Sequence, residues 1–527
     1  MSLCLICAIS ASALVPLAPG SEEQQNPGPT GGTRPITDPL PAPGVWTHLG
    51  RTADRRPIVL ESDPGPESLS EIDWIASLDM LEREMEFAGP GGIVIDKKRV
   101  YASAWIDNVY HAIGVDRESG EVLWTTPLPP PVFNSWATPT IDMENGTVLY
   151  AAFDSLIALT SLTGAMAWSA SAESLLVNAS PAVTTDLGPA DRAFITNFGV
   201  VSPPGRLLCV NVDPFDATLN PYEPGDVVWS ATLSSPTSGA TPAYRDSMVY
   251  VGTAGFLDLS AGTIEAFDAT STSTPSPVWS TSVPGEETQG FYGGLTLATG
   301  FVFGATFNFY GGQLSSLLVK VDAQTGELIW TAACNRTSSI PIAVGDGRIA
   351  LSGGLLPTDT SDSGSRPSVE LFHDHGQFGE LLWDSAIDTW DDENENGVID
   401  DGEYLAIGGW SHHPAMRVEP GVRQLYVGTV SSDDVSGVSF NPYDEMRLID
   451  LNEQPDSTEF VVDSATGYGS SPAIVGGALF SIGPPGLTRV SAPGPALSED
   501  PPGPVDALEA FIGRYDSGFS GGGEVSE

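Results

Sequence analysis

Twelve residues, Asp392 to Glu403 ("DENENGVIDDGE"), place oxygen-bearing side chains at alternate positions around a glycine. Asp392, Asn394 and Asn396 take positions 1, 3 and 5. Gly397 follows at position 6, where the chain must turn sharply, and Val398 offers its backbone carbonyl at position 7. Ile399 is an apolar anchor, Asp400 can hold a water at position 9, and Glu403 closes the set with two oxygens. Calcium takes roughly six to eight hard oxygen ligands, and this spacing wraps them around one point. The stretch is therefore expected to be a calcium loop, with calcium the one expected cofactor. The upstream "GELLW" reads as strand, so the loop is expected to stand alone and stiffen a surface connection. A paired sensor hand would need two helices to open.

Four of the six histidines fall nearby, as His373, His375, His412 and His413. Imidazoles at such spacings can ligate a second metal, although turn contacts and contacts between neighbouring elements are the commoner use. The aromatic run Phe307 to Tyr310 can pack a strand end or present a contact patch. No GxSxG, HExxH or P-loop pattern occurs, so no catalytic residue is assigned.

The chain that must position these residues is 527 residues long and carries a net charge of −47, from 68 acidic and 21 basic residues. Such a surface repels phosphate backbones, which excludes nucleic acid as a partner class. The first 20 residues are apolar or small with a small-residue cleavage site at Ala11-Ser12-Ala13, and are expected to be an export signal, although no Lys or Arg precedes Arg34. No later segment is apolar and long enough for a membrane helix. Residues 21–43 and 493–527 are rich in Pro and Gly and read as a flexible leader and tail. Beyond the signal only Cys209 and Cys334 remain, too few for a disulfide framework; buried thiols or one pair are both open.

A repeat organises the rest. "VDRESGEVLW" ends at Trp124 and "VDAQTGELIW" at Trp330, with worn copies ending at Trp168, Trp229, Trp279 and Trp383. Before each comes a small residue with Pro, a short apolar strand, a polar turn and a second apolar strand, as in "ATPTIDMENGTVLYAAF" and "ATPAYRDSMVYVGTAGF". A third strand, a Gly turn and the Trp strand complete the unit. Four short strands per 40 to 50 residues, repeated, describe a propeller blade. Pro suits the start of an inner strand, where a missing N–H costs least. Gly supplies positive φ in the tight turn. Trp can pack between blades while its indole N–H finds a carbonyl. A single blade cannot bury both faces, so the array must close.

First strands begin near Gly91, Ala137, Ala179, Ala240, Gly293, Ser339, His412 and Ser470. The expected fold is all-β, an eight-bladed propeller over residues 44–492; seven blades is the alternative. The eighth blade lacks a fourth strand at the C-terminal end. An N-terminal strand at 44–50, around Trp46, is expected to supply it. Residues 68–87 ("SLSEIDWIASLDMLEREMEF") have apolar spacing that fits an amphipathic helix, expected as an insertion.

At these repeats, over about Gly91 to Ser491, the chain resembles the PQQ-like (pyrroloquinoline-quinone-type) propeller family. That family includes quinoprotein dehydrogenases, with PQQ and a calcium ion at the ring centre, and binding scaffolds such as the propeller lipoprotein of the outer-membrane β-barrel assembly machinery. The dehydrogenases typically carry an adjacent Cys-Cys pair, and many a CxxCH haem site; neither occurs here. The resemblance therefore implies a non-enzymatic, exported binding or scaffold propeller with a protein or glycan partner. A PQQ-dependent dehydrogenase is the alternative.

Overall fold

The middle strands are buried almost continuously along their length, so every blade presents two apolar faces and must be sandwiched. The computed structural model satisfies this with eight antiparallel sheets, each built from four main strands, arranged as an eight-bladed propeller. It describes residues 42–491, apart from residues 60, 77–84, 88–91, 133–134, 136, 200–203, 236–238, 256–261, 284–289, 309–311, 345, 355–365, 401–402, 420–421, 430–443 and 453–460. The expected signal, most of the leader and the tail lie outside the described residues. Among those described, the helical content is one 3₁₀ turn, Gly188–Ala190.

Blade two shows the plan: Thr140–Asp142, Thr147–Ala152, Ser155–Thr160 and Met166–Ser171 pair in chain order, from the axis outward. The one-to-two turns, tight in most blades, and the three-to-four connections lie on one face of the ring. The two-to-three turns and the connections between blades lie on the other face. Each hydrophobic cluster draws on neighbouring blades. Val94 and Tyr101 of blade one pack with Ile141 and Tyr150 of blade two, and Phe303 of blade five packs with Ile349 and Phe372 of blade six. Burying each such side chain contributes about 2 kcal/mol, and the gain exists only between blades.

The tryptophans do what their size and N–H demand. Trp124 Nε1 donates to Ser161 O at 3.1 Å, Trp229 to Ser271 O at 2.9 Å and Trp279 to Ala323 O at 3.1 Å, each in the third-to-fourth-strand turn of the next blade. The turn glycine has a second reason beyond its dihedral. At Gly326, φ is +76°, and a Cβ would stand 2.7 Å from Trp279 Cδ2. A bulge beside Trp124, Trp168, Trp229, Trp330 and Trp383 adds local twist where the outer strand leaves the sheet.

Two expectations for the N-terminal region need correction. Within 68–87, the described residues 68–76 and 85–87 are not helical. Ile72–Ala76 is a strand that pairs antiparallel with Gly486–Ser491 and forms the fourth strand of blade eight. Met85–Phe87 is a strand beside blade one, and residues 77–84 lie outside the described residues. Helical spacing is overridden here because Trp74 fills the repeat's tryptophan slot, donating to Arg117 O of blade one at 3.2 Å. The N-terminal chain does close the ring, but through Trp74. Residues 44–50 are not the closing strand; they enter the axis, described next.

Candidate functional site

Eight inner strands converge on the axis, and their N–H groups on that side have no fifth strand to pair with. Buried donors must be satisfied. The residue at the head of each inner strand, followed by Pro in six of the blades, does part of this. Gly92 N–H donates to Thr138 Oγ1 at 2.9 Å, Thr138 N–H to Ser180 Oγ at 2.9 Å and Ser180 N–H to Thr241 Oγ1 at 3.0 Å. Ile340 N–H donates to His413 Nδ1 at 3.1 Å and His413 N–H to Ser471 Oγ at 2.9 Å. At these five junctions a polar side chain at this position thus bonds its blade to the one before it.

The segment from Trp46 to Pro57 satisfies the next tier. Three residues beyond each ring position, the inner strand turns an N–H to the axis. Ile95 donates to Trp46 O (2.7 Å), Ile141 to Thr47 O (2.8 Å), Tyr244 to Ala53 O (2.9 Å), Leu297 to Asp54 O (3.0 Å) and Met416 to Pro57 O (2.9 Å). Val183 donates to His48 Nε2 at 3.1 Å. Six blades therefore hold one stretch of this chain by equivalent backbone groups. Burial, then the charge of Arg55, holds the His48 imidazole well below its usual pKa, so it stays neutral and can accept.

Arg55 is fully buried at the centre. It donates to the carbonyls of Pro242 (2.8 Å), Pro181 (2.9 Å), Leu49 (3.1 Å) and Ser180 (3.4 Å). Burial pushes its pKa down to about 9, against the charge of Asp54, so it remains a cation at neutral pH. The chain then turns outward. Arg51 Nη2 meets Asp63 Oδ2 at 2.5 Å, Ile58–Val59 pairs parallel with blade seven, and Tyr426 Oη donates to Pro66 O at 2.6 Å on the way to blade eight. A void of about 10 Å³ remains among Trp46, Leu49, Gly50, Pro57, Gly92 and His413. A tricyclic quinone needs a pocket of roughly 300 Å³ or more. The axial residues at this level therefore do not fit PQQ.

Asp392–Glu403 lies between blade six and the first strand of blade seven. A bridge between Trp390 and Tyr404 closes its neck, and Asp391 N–H donates to Glu403 O at 2.7 Å. Asp392 Oδ1 accepts from Asn396 N–H (2.9 Å) and Oδ2 from Gly397 N–H (2.8 Å). Asn396 Oδ1 accepts from Val398 N–H at 2.7 Å, and Glu403 Oε2 from Asp400 N–H at 3.0 Å. The Asn394 and Asn396 side-chain amides both donate to Asp400 Oδ2, at 2.7 and 2.6 Å, and hold that carboxyl below its usual pKa. Gly397 has φ +73°. Arg366 of blade six ties the loop down through Ile399 O at 2.7 Å. No helix flanks the loop among the described residues.

The histidines do not gather into one metal site. His412 and His413 are buried at the axis, where burial pushes both pKa values down to about 3 and each accepts a backbone N–H, His412 from Gly428 at 2.9 Å. The rings of His373, near the end of a blade-six strand, and His375, in the turn after it, lie 4.4 Å apart, with His375 against Glu380 at 2.7 Å. Among the described residues, no three His, Cys, Asp or Glu side chains close on one point for a metal. The oxygen donors expected at Asp392 to Glu403 also count two asparagines and a backbone carbonyl. Phe307 is buried against Tyr292 and Trp410 at 5.1 and 5.2 Å; Phe309 and Tyr310 lie outside the described residues. Cys209 and Cys334 are buried, unpaired thiols.

Sequence reasoning missed the axial segment and the ring of Thr138, Ser180, Thr241, His413 and Ser471. A signal was present: Arg51, Arg55 and Arg56 crowd into six residues of a chain with few bases.

A family model described as Outer membrane protein assembly factor BamB matches residues 71–214. By sequence, no curated protein matches the chain. Among solved structures, BamB from Moraxella catarrhalis is 15% identical, with 77% of this chain and 95% of that one covered and a TM-score of 0.48. A europium-containing methanol dehydrogenase is 11% identical, over 84% of this chain and 88% of that one, with a TM-score of 0.52. Quinohemoprotein alcohol dehydrogenase from Comamonas testosteroni is 14% identical, over 85% and 77%, with a TM-score of 0.52. Identities this low speak to fold alone. The chain is an eight-bladed propeller of PQQ-like repeats, similar over residues 71–214 to the outer membrane assembly factor family and in fold to the quinoprotein dehydrogenases.

Proposed function

We propose that this protein is a non-enzymatic, exported scaffold propeller that binds a protein partner. One observation carries the reading. The chain's own residues Trp46 to Pro57 occupy the ring centre, where a central cofactor would have to stand, and six blades hold them there. The match to an assembly-factor family model points the same way. No helix among the described residues is long and apolar enough to cross a membrane. The working surface is then a ring face built from the loops and turns that leave the axis closed.

Calcium belongs to this reading as cement. Asp392, Asn394, Asn396, Asp400, Glu403 and the Val398 carbonyl offer only oxygen donors once each amide makes a half-turn about its last bond, which suits calcium. Calcium would neutralise the acids of an exposed loop that Arg366 anchors to blade six.

The test is calorimetry of the purified protein with calcium and with PQQ, alongside dye reduction with an alcohol or a sugar as donor. Calcium uptake without PQQ uptake is the expected result. PQQ binding at about micromolar affinity or tighter, with dye reduced, would overturn the scaffold reading.

A further inference from the structure

The ends of the inner strands on the tight-turn face differ from blade to blade. At the junction of blades four and five, Arg245 ends its inner strand and reaches across. Its guanidinium pairs with Asp54 of the axial segment and donates to Leu297 O of blade five at 2.8 Å. Arg117 does similar work between blades eight and one, donating to the carbonyls of Asp96 and Val475, each at 3.4 Å. At these two junctions a guanidinium fills the gap, because a planar fork satisfies several carbonyls at once.

The junction of blades five and six lacks that filler. Ala298 ends its strand in the same register as Arg245: Ala298 pairs with Phe301 across a two-residue turn, as Arg245 pairs with Met248. Ala343 there stands in the place of Leu297, three residues beyond the ring position. Beside the short Ala298 side chain opens a cavity of about 350 Å³, walled by Phe303, Val344 and Ile349 and rimmed by Asp346, His373 and Asp374.

The rim chooses the charge of an occupant. No Lys or Arg lines the cavity among the described residues, so an anion would find no cationic donor. Asp346 is about one-third exposed and pairs with Arg423 at 2.8 Å. Asp374 faces the buried Lys320 at 2.7 Å. Burial pushes against it, yet Lys320, the Gly376 N–H and Trp330 hold its carboxyl below the usual value, so it is a standing anion. The His373 ring makes no hydrogen bond among the described residues. The overall charge of −47 adds long-range attraction for a cation.

We propose that the cleft between blades five and six receives an arginine side chain presented by a protein partner, in the place that the chain's own Arg245 fills one blade earlier. The apolar walls take the stem and the rim takes the guanidinium. This rests on the scaffold reading and supplies the chemistry of its partner. Arginine, with Trp and Tyr, is enriched among the few pocket-seated residues that carry most of the energy in protein interfaces.

Histidine-labelled protein gives an NMR spectrum of six imidazoles, with the His373 signal assigned from His373→Gln. Titration with an acetyl-Gly-Arg-Gly-amide peptide should shift that signal saturably, and the Gln peptide should not shift it. Ala298→Arg should fill the cavity from within, keep the remaining histidine signals in place and abolish the response. Asp346→Asn, which leaves the packing intact, should weaken it by about fivefold, the factor of a modest exposed ion pair. An absent shift overturns the proposal, as does an equal response in a natively folded Ala298→Arg. A response to free arginine amide with the peptide excluded overturns the assignment to a protein partner. Quinone-dependent dye reduction, which would sink the scaffold reading, is read in a different assay and leaves this one interpretable.

Discussion

Arg55 Nε donates to the carbonyl of Pro242 at 2.8 Å, across 187 residues of chain. That bond joins the N-terminal segment to the start of blade four and is one of four from the same guanidinium. The segment is therefore part of the ring's structure. Arg55→Ala should leave several axial carbonyls unsatisfied and cost about 3 kcal/mol or more. Arg55→Lys should recover only part, because an ammonium cannot fork. Denaturant unfolding of the three proteins checks the order.

Trp74 closes the ring from the other side of the same N-terminal region. Its indole lies over Gly120 of blade one, where φ is +74° and a Cβ would stand 2.7 Å from Trp74 Cδ2. Trp74→Ala should cost roughly 3–5 kcal/mol and free Ile72–Ala76 from blade eight. Gly120→Ala should do similar damage without touching the tryptophan. Limited proteolysis should then cut near residue 72 in both variants while the wild type resists.

Chelation gives a third expectation. With EDTA the melting temperature should fall and a protease should cut within 392–403. Asp392→Ala and Glu403→Gln should each show the lower temperature without chelator and no further drop with it. An unchanged melt and an uncut loop in EDTA would sink the calcium assignment.

Glu370 in blade six is fully buried. Burial, then the charge of Asp384, raises its pKa well above 4.5, although it accepts the Asn335 N–H. A carboxyl with a raised folded pKa stabilises fully below its unfolded value and loses that contribution as pH rises towards the folded one. Glu370→Gln should therefore gain stability over the wild type from about pH 5 upward and lose the advantage near pH 4. Urea midpoints at the two pH values test the sign.

Strand order, blade number and the role of the tryptophans were legible because they repeat. A pattern seen six times averages out local noise, and both the indole-to-carbonyl bond and the turn glycine follow from residue type. The oxygen spacing at Asp392 to Glu403 was legible for a different reason: its residues are local in sequence. Three things were decided only by the tertiary structure. Trp46 and Trp74 are each one tryptophan in a unique stretch, and nothing local says which completes blade eight. The pairing of Ile72–Ala76 with Gly486–Ser491 settles it, against the helical spacing of residues 68–87. The axial segment exists because eight inner edges, each unremarkable alone, leave unpaired N–H groups around one centre, and only a closed ring brings them within reach of one strand. The cleft beside Ala298 is likewise invisible in the sequence. A small residue becomes a cavity only when the neighbouring blade shows what should have filled it.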